Sequence, residues 1–518
     1  MRKILALLLA VMVVATIFSG CAPQTGSNDD SGSGSSTGTG TGTGTVDTAK
    51  RTDVKIYCEG VWSTLDPYGT GCTSYTNMYL ANQMYECLVY VNDNNEIVPV
   101  LATDWTVSAD GLTYTFNLRQ GVKFHNGETL KASDVVYSFT RAMGEASLET
   151  YYKPIAKVEA SGDNAVVITL KSVFAPFVSY MENIPIVSEK YATANDLLTT
   201  ECGTGPYKLV SIEMNTECKM TAFDDYWKGK ASIQDVTLKV ITEGTTAVVA
   251  FESGDIDYMF CYSVSAFGPL KDSGKYNTAL TATYHTANIL LNNKVAPLDN
   301  KLVRQALSYA TDRDTMIAIA YEGLAQPAYL MANTNTFGVS KDQYYNHYEY
   351  NLDKAKELLA QAGYPNGLDL GKMTVISGSY HEKYAQVWQQ SLAQIGVKIE
   401  LVGSESCVAD CTAHNYVTAT MGNGFTSDFA YNSQHYTPDN MANYDNPTVT
   451  DLFSKAASEL DNTKRQDYYK QIIDIIFDEC PNIPIFNKQI PWVWNKNLNA
   501  TPHLNSGHPY YVYEMSWN

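Results

Sequence analysis

The chain has 518 residues, with 36 basic and 55 acidic side chains and a formal net charge of −19. This acidic balance argues against nucleic acid as a partner, because the phosphate backbone attracts basic proteins. Hydrophobic residues make up 45% of the chain, which allows a globular fold with several layers of core.

The N-terminus predicts export. Arg2 and Lys3 precede an apolar run over residues 4–18 that is too short to span a bilayer comfortably, as in a signal peptide. Small residues at 19–20 then lead to Cys21. This order resembles the bacterial lipobox, in which a cysteine is lipidated and becomes the mature N-terminus. We expect the lipid anchor at Cys21; the alternative is an unmodified thiol beside an ordinary cleavage site.

The segment after this cysteine is a predicted flexible tether. Residues 21–49 consist mostly of Ser, Thr and Gly and include repeated Gly-Thr dipeptides, a composition that cannot bury a core. Once residues 1–20 are removed as the signal peptide, the tether would hold the domain at the extracellular or periplasmic face of the cell membrane. No second long apolar run follows, so the lipid would be the only attachment.

The first predicted elements of the domain are strands. Residues 54–57 read as a first strand. The dipeptide at residues 110–111, Asp-Gly, marks a tight turn between the alternating segments 105–107 and 112–118, which predicts a hairpin. A second turn is predicted at residues 126–127, Asn-Gly.

Helices follow in the sequence. Residues 133–140 open a helix in which Ser133 is expected to cap the free N–H groups and Asp134 to favour the positive end of the helix dipole. Asn351 is expected to cap a later helix that ends at Gly363. Together with the strands, these helices predict the α/β class. Further apolar stripes at helical spacing surround Leu307, Trp388 and Ile473.

Motifs of catalysis are missing or misplaced. The G-x-S-x-G match at residues 34–38 lies in the tether, where no strained turn can present the serine as a nucleophile. The common metalloprotease, nucleotide-hydrolase and dinucleotide motifs do not occur. Cys407, Cys411 and His414 fall short of the four ligands of a closed zinc site. We therefore expect no enzyme activity, no metal site and no cofactor, although a glycosidase pair of acids could not be located by spacing in so acidic a chain.

The cysteines predict at least one free thiol. There are ten, and nine remain if Cys21 is lipidated, which is an odd number for a monomer. A chain of this size also has no need of a disulfide framework.

A series of short segments over nearly all of the mature chain resembles one family. Together they are similar to the peptide/nickel-binding family of bacterial extracellular solute-binding proteins, and they occur in the order of that family. The segments are LDP at Leu65, YECLV at Tyr85, PVLATDW at Pro99, DGLTYTFNLRQGVKFHNG at Asp110, ASDVVYSF at Ala132, GTGPY at Gly203, YWKG at Tyr226, FESGDID at Phe251, VRQALSYATDR at Val303, LDKAKELLAQAGY at Leu352 and PNIPIF at Pro481.

The resemblance implies a two-lobed, type II periplasmic-binding-protein fold with an inserted extra domain. The first lobe is expected at residues 50–62, 187–284 and 500–518. The insert is expected at residues 63–186, and the second lobe at residues 285–499.

The resemblance also implies binding residues. In oligopeptide-binding relatives the ligand lies extended between the lobes, pairs its backbone with strand edges and places its side chains in aromatic pockets. Five residues of this chain follow the first strand, where relatives present backbone to the ligand. They are Glu59, Gly60, Val61, Trp62 and Ser63.

A charge anchor is expected in the loop at residues 424–428. This loop resembles the G-W-x-x-D segment of the family, whose aspartate receives the α-amino group of the peptide. Phe425 stands in the position of the tryptophan and Asp428 in that of the aspartate. An α-ammonium taken out of water needs a fixed opposite charge, which Asp428 would supply. The alternative is that Asp428 is a solvated loop acid.

The function implied is that of a substrate-binding lipoprotein of an ABC importer. It would capture short peptides as a monomer and deliver them to the permease and ATPase subunits. The 37 tyrosines would suit peptide side chains or sugar faces equally. The alternatives are therefore the same role for an oligosaccharide, a nickel chelate or haem, and a surface glycosidase, which turnover of a sugar would reveal.

Overall fold

The computed structural model describes residues 50–261, 264–345, 347–503 and 510–518. The predicted signal peptide, the tether up to residue 49 and Cys21 lie outside these residues. The strands are β1 Asp53–Cys58, β2 Val89–Val91, β3 Ile97–Pro99, β4 Ala102–Val107, β5 Thr113–Leu118, β6 Ile155–Ala160, β7 Ala165–Leu170, β8 Tyr207–Glu213, β9 Glu217–Ala222, β10 Asp235–Val240, β11 Tyr258–Phe260, β12 Tyr276–Leu291, β13 Ala325–Pro327, β14 Leu368–Ile376, β15 Val397–Ser404, β16 Thr418–Gly424, β17 Asn482–Asn495, β18 Leu498–Asn499 and β19 Ser516–Trp517. The helices are α1 Tyr75–Met84, α2 Ala132–Ala142, α3 Glu149–Tyr152, α4 Phe177–Tyr180, α5 Glu189–Ala194, α6 Gly244–Glu252, α7 Val264–Asp272, α8 Lys301–Tyr309, α9 Arg313–Tyr321, α10 Lys341–Tyr345, α11 Leu352–Gln361, α12 Tyr380–Ala393, α13 Cys407–Thr412, α14 Ser433–Tyr436, α15 Pro447–Ser458 and α16 Asn462–Glu479.

One large mixed sheet connects most of these strands. Its order is β15-β14-β16-β12-β17-β11-β1-β10-β9-β8, and β13 pairs with β17 beside this path. β1 is parallel to β10 and β11, and β14 is parallel to β15 and β16. The central strands β12 and β17 are antiparallel to each other. Parallel pairs beside antiparallel pairs, with helices between them in the chain, confirm the predicted α/β class.

A separate antiparallel sheet, β4-β5-β7-β6, contains the predicted hairpin. β4 and β5 pair across a turn in which Gly111 has a φ of +72°, a conformation that strains residues with a side chain. In β5 the apolar Tyr114, Phe116 and Leu118 are buried while their neighbours are not. The alternation that predicted the strand therefore reflects one buried face.

Two main hydrophobic clusters lie on the two halves of the large sheet. The first contains Val54 of β1 together with Phe116 of the four-stranded sheet, so the predicted insert and the predicted first lobe share one core. The second contains Leu291 of β12, Val375 of β14 and Trp388 of α12. The two clusters give the sheet two packed halves.

β12 and β17 run from one half to the other. Ile485 of β17 lies in the second cluster, whereas Trp492 and Trp494 of the same strand lie in the first. The change of core within β17 therefore precedes residue 499, where the sequence places the end of the second lobe. All lobe boundaries, including the one at residue 499, remain predictions.

Polar residues set the ends of the helices. The Asn351 side chain caps α11 as predicted, and Gly363 follows the end of that helix with a φ of +94°. α2 instead has Lys131 at its N-cap, and its backbone N–H donates to Asp134 Oδ2 at 2.9 Å. The prediction that Ser133 caps α2 was wrong, because Ser133 lies inside the first turn.

The described residues include nine cysteines, and all nine are buried; those other than Cys261 are free thiols. Burial raises the pKa of Cys261 to about 11, because a thiolate is poorly solvated there. Burial also raises the pKa values of Cys58 and Cys218, so we assign these thiols to packing. Cys407 differs, because its hydrogen bond with Cys411 lowers its pKa.

Candidate functional site

Two cavities lie on either side of Tyr284, which forms part of the wall of both. The first cavity has a volume of about 260 Å³, and the second has a volume of about 470 Å³. These volumes are of the order that small ligands occupy in proteins. The first cavity is lined by residues that include Met78, Asn82, Glu182, Phe425 and Thr426. The second is lined by residues that include Glu59, Tyr79, His285, Tyr380 and Lys488.

A bulge in β12 supplies one wall of the second cavity. The register of β12 on β17 shifts between Ala282 and Thr286, and the residues between them face the cavity. A bulge bends its strand and redirects side chains. Here it places Tyr284 and His285 at the cavity, where a regular strand would direct neighbouring side chains to opposite faces.

Tyr284 connects three parts of the chain. Its hydroxyl donates to Asn95 Oδ1 at 3.2 Å, and its carbonyl accepts the N–H of Phe425 at 2.9 Å. The rings of Tyr284 and Phe425 meet edge to face with centroids 5.4 Å apart. The partition between the two cavities is therefore tied both to the predicted insert and to the loop after β16.

The five residues predicted after β1 occupy different surroundings. Glu59 lines the second cavity, and burial raises the pKa of its carboxyl group. Trp62 is 2% exposed and packs in the first hydrophobic cluster, whereas Val61 is 49% exposed. Gly60 is half-buried and Ser63 is exposed. Among the five, the structure brings Glu59 to a cavity, and the backbone role of the others stays a prediction.

The two residues predicted in the loop at residues 424–428 have different surroundings. Phe425 lines the first cavity, and Asp428 is 6% exposed. Asp428 Oδ1 accepts hydrogen bonds from the N–H of Ala430 and from the hydroxyl of Tyr469, each at 2.9 Å. Its Oδ2 lies 3.2 Å from Nη2 of Arg465. The alternative of a solvated loop acid is therefore wrong, because this carboxylate is buried and paired.

The charge of Asp428 is only partly compensated. Burial raises the pKa of this carboxyl group, although Arg465, the N–H of Ala430 and the hydroxyl of Tyr469 act in the opposite direction. A carboxylate in this state gains from a further positive charge nearby. Its role as a ligand anchor stays a prediction.

A basic cluster in the second cavity was missed from the sequence. The Nζ of Lys488 lies 4.2 Å from the centroid of the Tyr380 ring. Burial lowers the pKa of Lys488 to about 8. Burial and the neighbouring Lys488 together lower the pKa values of His285 and His381 to about 3, so both imidazoles are neutral near pH 7. Lys383 also lines this cavity.

The one sequence signal for this cluster was a charged residue within an apolar strand. Lys488 follows the run Ile483 to Phe486, in which every residue is buried. A lysine is seldom placed in such a run without a reason. Its neighbours in the cavity come from β12 and α12, which no local pattern connects to β17.

The possible metal ligands at α13 do not form a metal site. Cys407 and Cys411 are both buried on this helix, and His414 Nε2 lies 3.0 Å from the carbonyl oxygen of Asn440. Across the described residues, no group of three or more His, Cys, Asp or Glu side chains could hold a metal ion.

Comparison with known families and proteins gives consistent matches. Residues 96–445 match the bacterial extracellular solute-binding proteins, family 5 Middle. The chain is 29% identical over 474 residues to the glutathione-binding protein GsiB of Escherichia coli (strain K12), which covers 86% of this chain and 91% of that protein.

Solved structures share the architecture. The structure of HbpA2 from Haemophilus parasuis matches with a TM-score of 0.81 and 26% identity, over 90% of this chain and all of that one. The periplasmic binding protein DppA from Helicobacter pylori, in complex with the peptide STSA, matches with a TM-score of 0.70 and 26% identity, over 90% of this chain and 98% of that one. These matches confirm the predicted periplasmic-binding-protein fold.

Proposed function

The chain belongs to the bacterial extracellular solute-binding proteins of family 5, and we propose that it is the receptor of an ABC importer that captures short peptides between two lobes. Members of this family are binding proteins, and we propose the same for this chain, without catalytic turnover. Bound peptide would pass from the receptor to the permease and ATPase subunits of the importer.

The observation that carries this proposal is the composition of the second cavity. Its walls come from both predicted lobes, with Glu59 and Phe260 on one side and Tyr321 and Tyr380 on the other. Flat aromatic rings with a few polar groups suit peptide side chains of different shapes. A solute held by both walls would stabilise the closed arrangement of the lobes.

The matched relatives support a peptide as the solute. One is described as binding glutathione, which is itself a tripeptide, and another was solved with a tetrapeptide. The volumes of the two cavities that Tyr284 borders are of the order that such short peptides occupy. We propose that the ligand lies extended past Tyr284, with its backbone against residues 59–63 and its amino end towards Phe425 and Asp428.

Titration calorimetry tests the proposed solute class. Peptides of about two to five residues should bind stoichiometrically, because their lost hydration is replaced by contacts with both walls. Oligosaccharides, nickel chelates and haem serve as matched non-peptide solutes. Binding of one of these and of no peptide would contradict the proposal, and release of cleaved sugar would indicate the glycosidase instead.

We further propose that Cys21 carries a lipid anchor. The order of basic, apolar and small residues before Cys21 supports this assignment. Separately, none of the described helices combines the length and the hydropathy of a membrane span. Replacing Cys21 with serine should move the protein from the membrane to the soluble fraction or leave it unprocessed. Unchanged membrane partition of Cys21→Ser would refute the anchor.

A further inference from the structure

Lys488 is a cation in the second cavity that pairs with no carboxylate of the described residues. It lies on β17, beside the bulge of β12, and its Nζ sits over the ring of Tyr380. In the part of the chain that the structure describes, no ion pair joins Lys488 or Lys383 to a carboxylate. Burial alone lowers the pKa of Lys488 to about 8, which agrees with the absence of a carboxylate at ion-pair distance among the described residues. Lys488 is half-buried, and a partly desolvated cation of this kind costs free energy until an anion joins it.

Each of two imidazoles near Lys488 has one ring nitrogen that makes no hydrogen bond within the described residues. His285 Nδ1 and His381 Nε2 are buried and make no hydrogen bond to any residue that the structure describes. His381 is fixed by its other ring nitrogen, Nδ1, which lies 2.8 Å from Oγ of Ser379. Each neutral imidazole can carry a proton on either nitrogen. Two imidazole nitrogens near Lys488 therefore have unused hydrogen-bonding capacity, and both are covered from solvent in this structure.

The acids of the second cavity do not neutralise this cluster. Glu59 and Glu322 line the same cavity, but neither forms an ion pair with Lys488 or Lys383. Glu182, by contrast, lines the first cavity, and among the described residues no lysine or arginine lines that cavity. The two cavities thus differ in charge on the two sides of Tyr284.

We propose that the second cavity binds a carboxylate of the solute, with the ammonium of Lys488 as its charge partner. This inference rests on the proposed function and makes it more specific: the solute is a short peptide with a free carboxylate rather than an uncharged oligosaccharide. Lys383, which is exposed, adds a second positive charge at the same cavity. The difference in charge across Tyr284 sets the direction of the peptide, with the carboxylate towards Lys488.

Calorimetry with paired peptides tests this assignment. The pair consists of one short peptide as the free acid and as the C-terminal amide, titrated against the wild type and Lys488→Gln. The wild type should bind the acid roughly 10- to 100-fold more tightly than the amide, the range expected for a hydrogen bond between charged groups. Lys488→Gln should lose this preference, and Lys488→Arg should keep most of it. Lys470→Gln, which removes an exposed lysine of α16, is the matched control and should bind like the wild type.

A third peptide distinguishes two sources of the carboxylate. It is an amide that carries a glutamate side chain, and its recovery of tight binding would assign the site to a side-chain carboxylate. Equal affinity of the wild type for the acid and for both amides would overturn the inference and leave the proposed function intact. If no peptide binds and a neutral sugar binds tightly, both the carboxylate inference and the proposed function are wrong. If Lys488→Gln does not fold, the affinities of the wild type for the acid and for the two amides still show whether the site prefers a carboxylate.

Discussion

Asp428 has two roles that an experiment can separate. In the structure it is the partner of Arg465, and the proposed function makes it the partner of a peptide ammonium. Both follow from one property, a carboxylate held in low-dielectric surroundings with incomplete compensation. The first role concerns stability and the second concerns affinity.

Replacing Asp428 with asparagine should lower both stability and affinity. Arg465 would lose its buried partner, which typically costs about 3–5 kcal/mol of unfolding free energy. The variant should bind a peptide with a free amino group about 2–5 kcal/mol more weakly than the wild type does. The N-acetylated peptide should already bind the wild type poorly, and the substitution should weaken its binding little further. Urea unfolding gives the first value and calorimetry the second.

The control for this variant is Asp451→Asn. Asp451 pairs with Lys455 on the surface of α15, so its loss should change stability by less than about 1 kcal/mol and leave peptide binding unchanged. Independent, additive losses from the Asp428 substitution and from acetylation would mean that the two groups never meet. Asp428 would then be a structural acid alone.

Site residues could be predicted where they are contiguous in the sequence. Phe425 and Asp428 belong to one short loop, and Glu59 follows a recognisable strand. Lys488, His285 and His381 come from three different elements and have no shared local pattern. Their proximity depends on the order of the strands in the sheet, which the sequence did not provide.

At the scale of elements, local chemistry determined what the sequence could predict. The hairpin of β4 and β5 was predicted because its alternation and its Asp-Gly turn lie within a few residues. The Asn351 cap of α11 was predicted for the same reason. The start of α2 was placed one residue late because Ser133 and Asp134 both favour a helix start, and the structure uses the carboxylate of Asp134 instead.

The bulge in β12 shows the limit of this reasoning. A register shift depends on both strands of a pair, and β17 lies about two hundred residues further along the chain. Residues 283–285 look like ordinary strand residues in the sequence. The bulge nevertheless places Tyr284 between the two cavities, and so it shapes the candidate site.

At the scale of the whole molecule, β12 and β17 connect two separately packed halves. Each half has its own hydrophobic cluster, and these two strands pass through both. We expect bending at these two strands to change the distance between the walls of the second cavity without disrupting either core. A solute that contacts both walls stabilises the closed arrangement by its difference in affinity for the two states.

Small-angle scattering with and without bound peptide tests the central claim, that the solute is held between two lobes that close on it. A peptide acid that binds by calorimetry should reduce the radius of gyration of the wild type at saturation. Lys488→Gln, at a peptide concentration that saturates only the wild type, should keep the profile of the free protein. Superimposable wild-type profiles with and without saturating peptide would contradict the account.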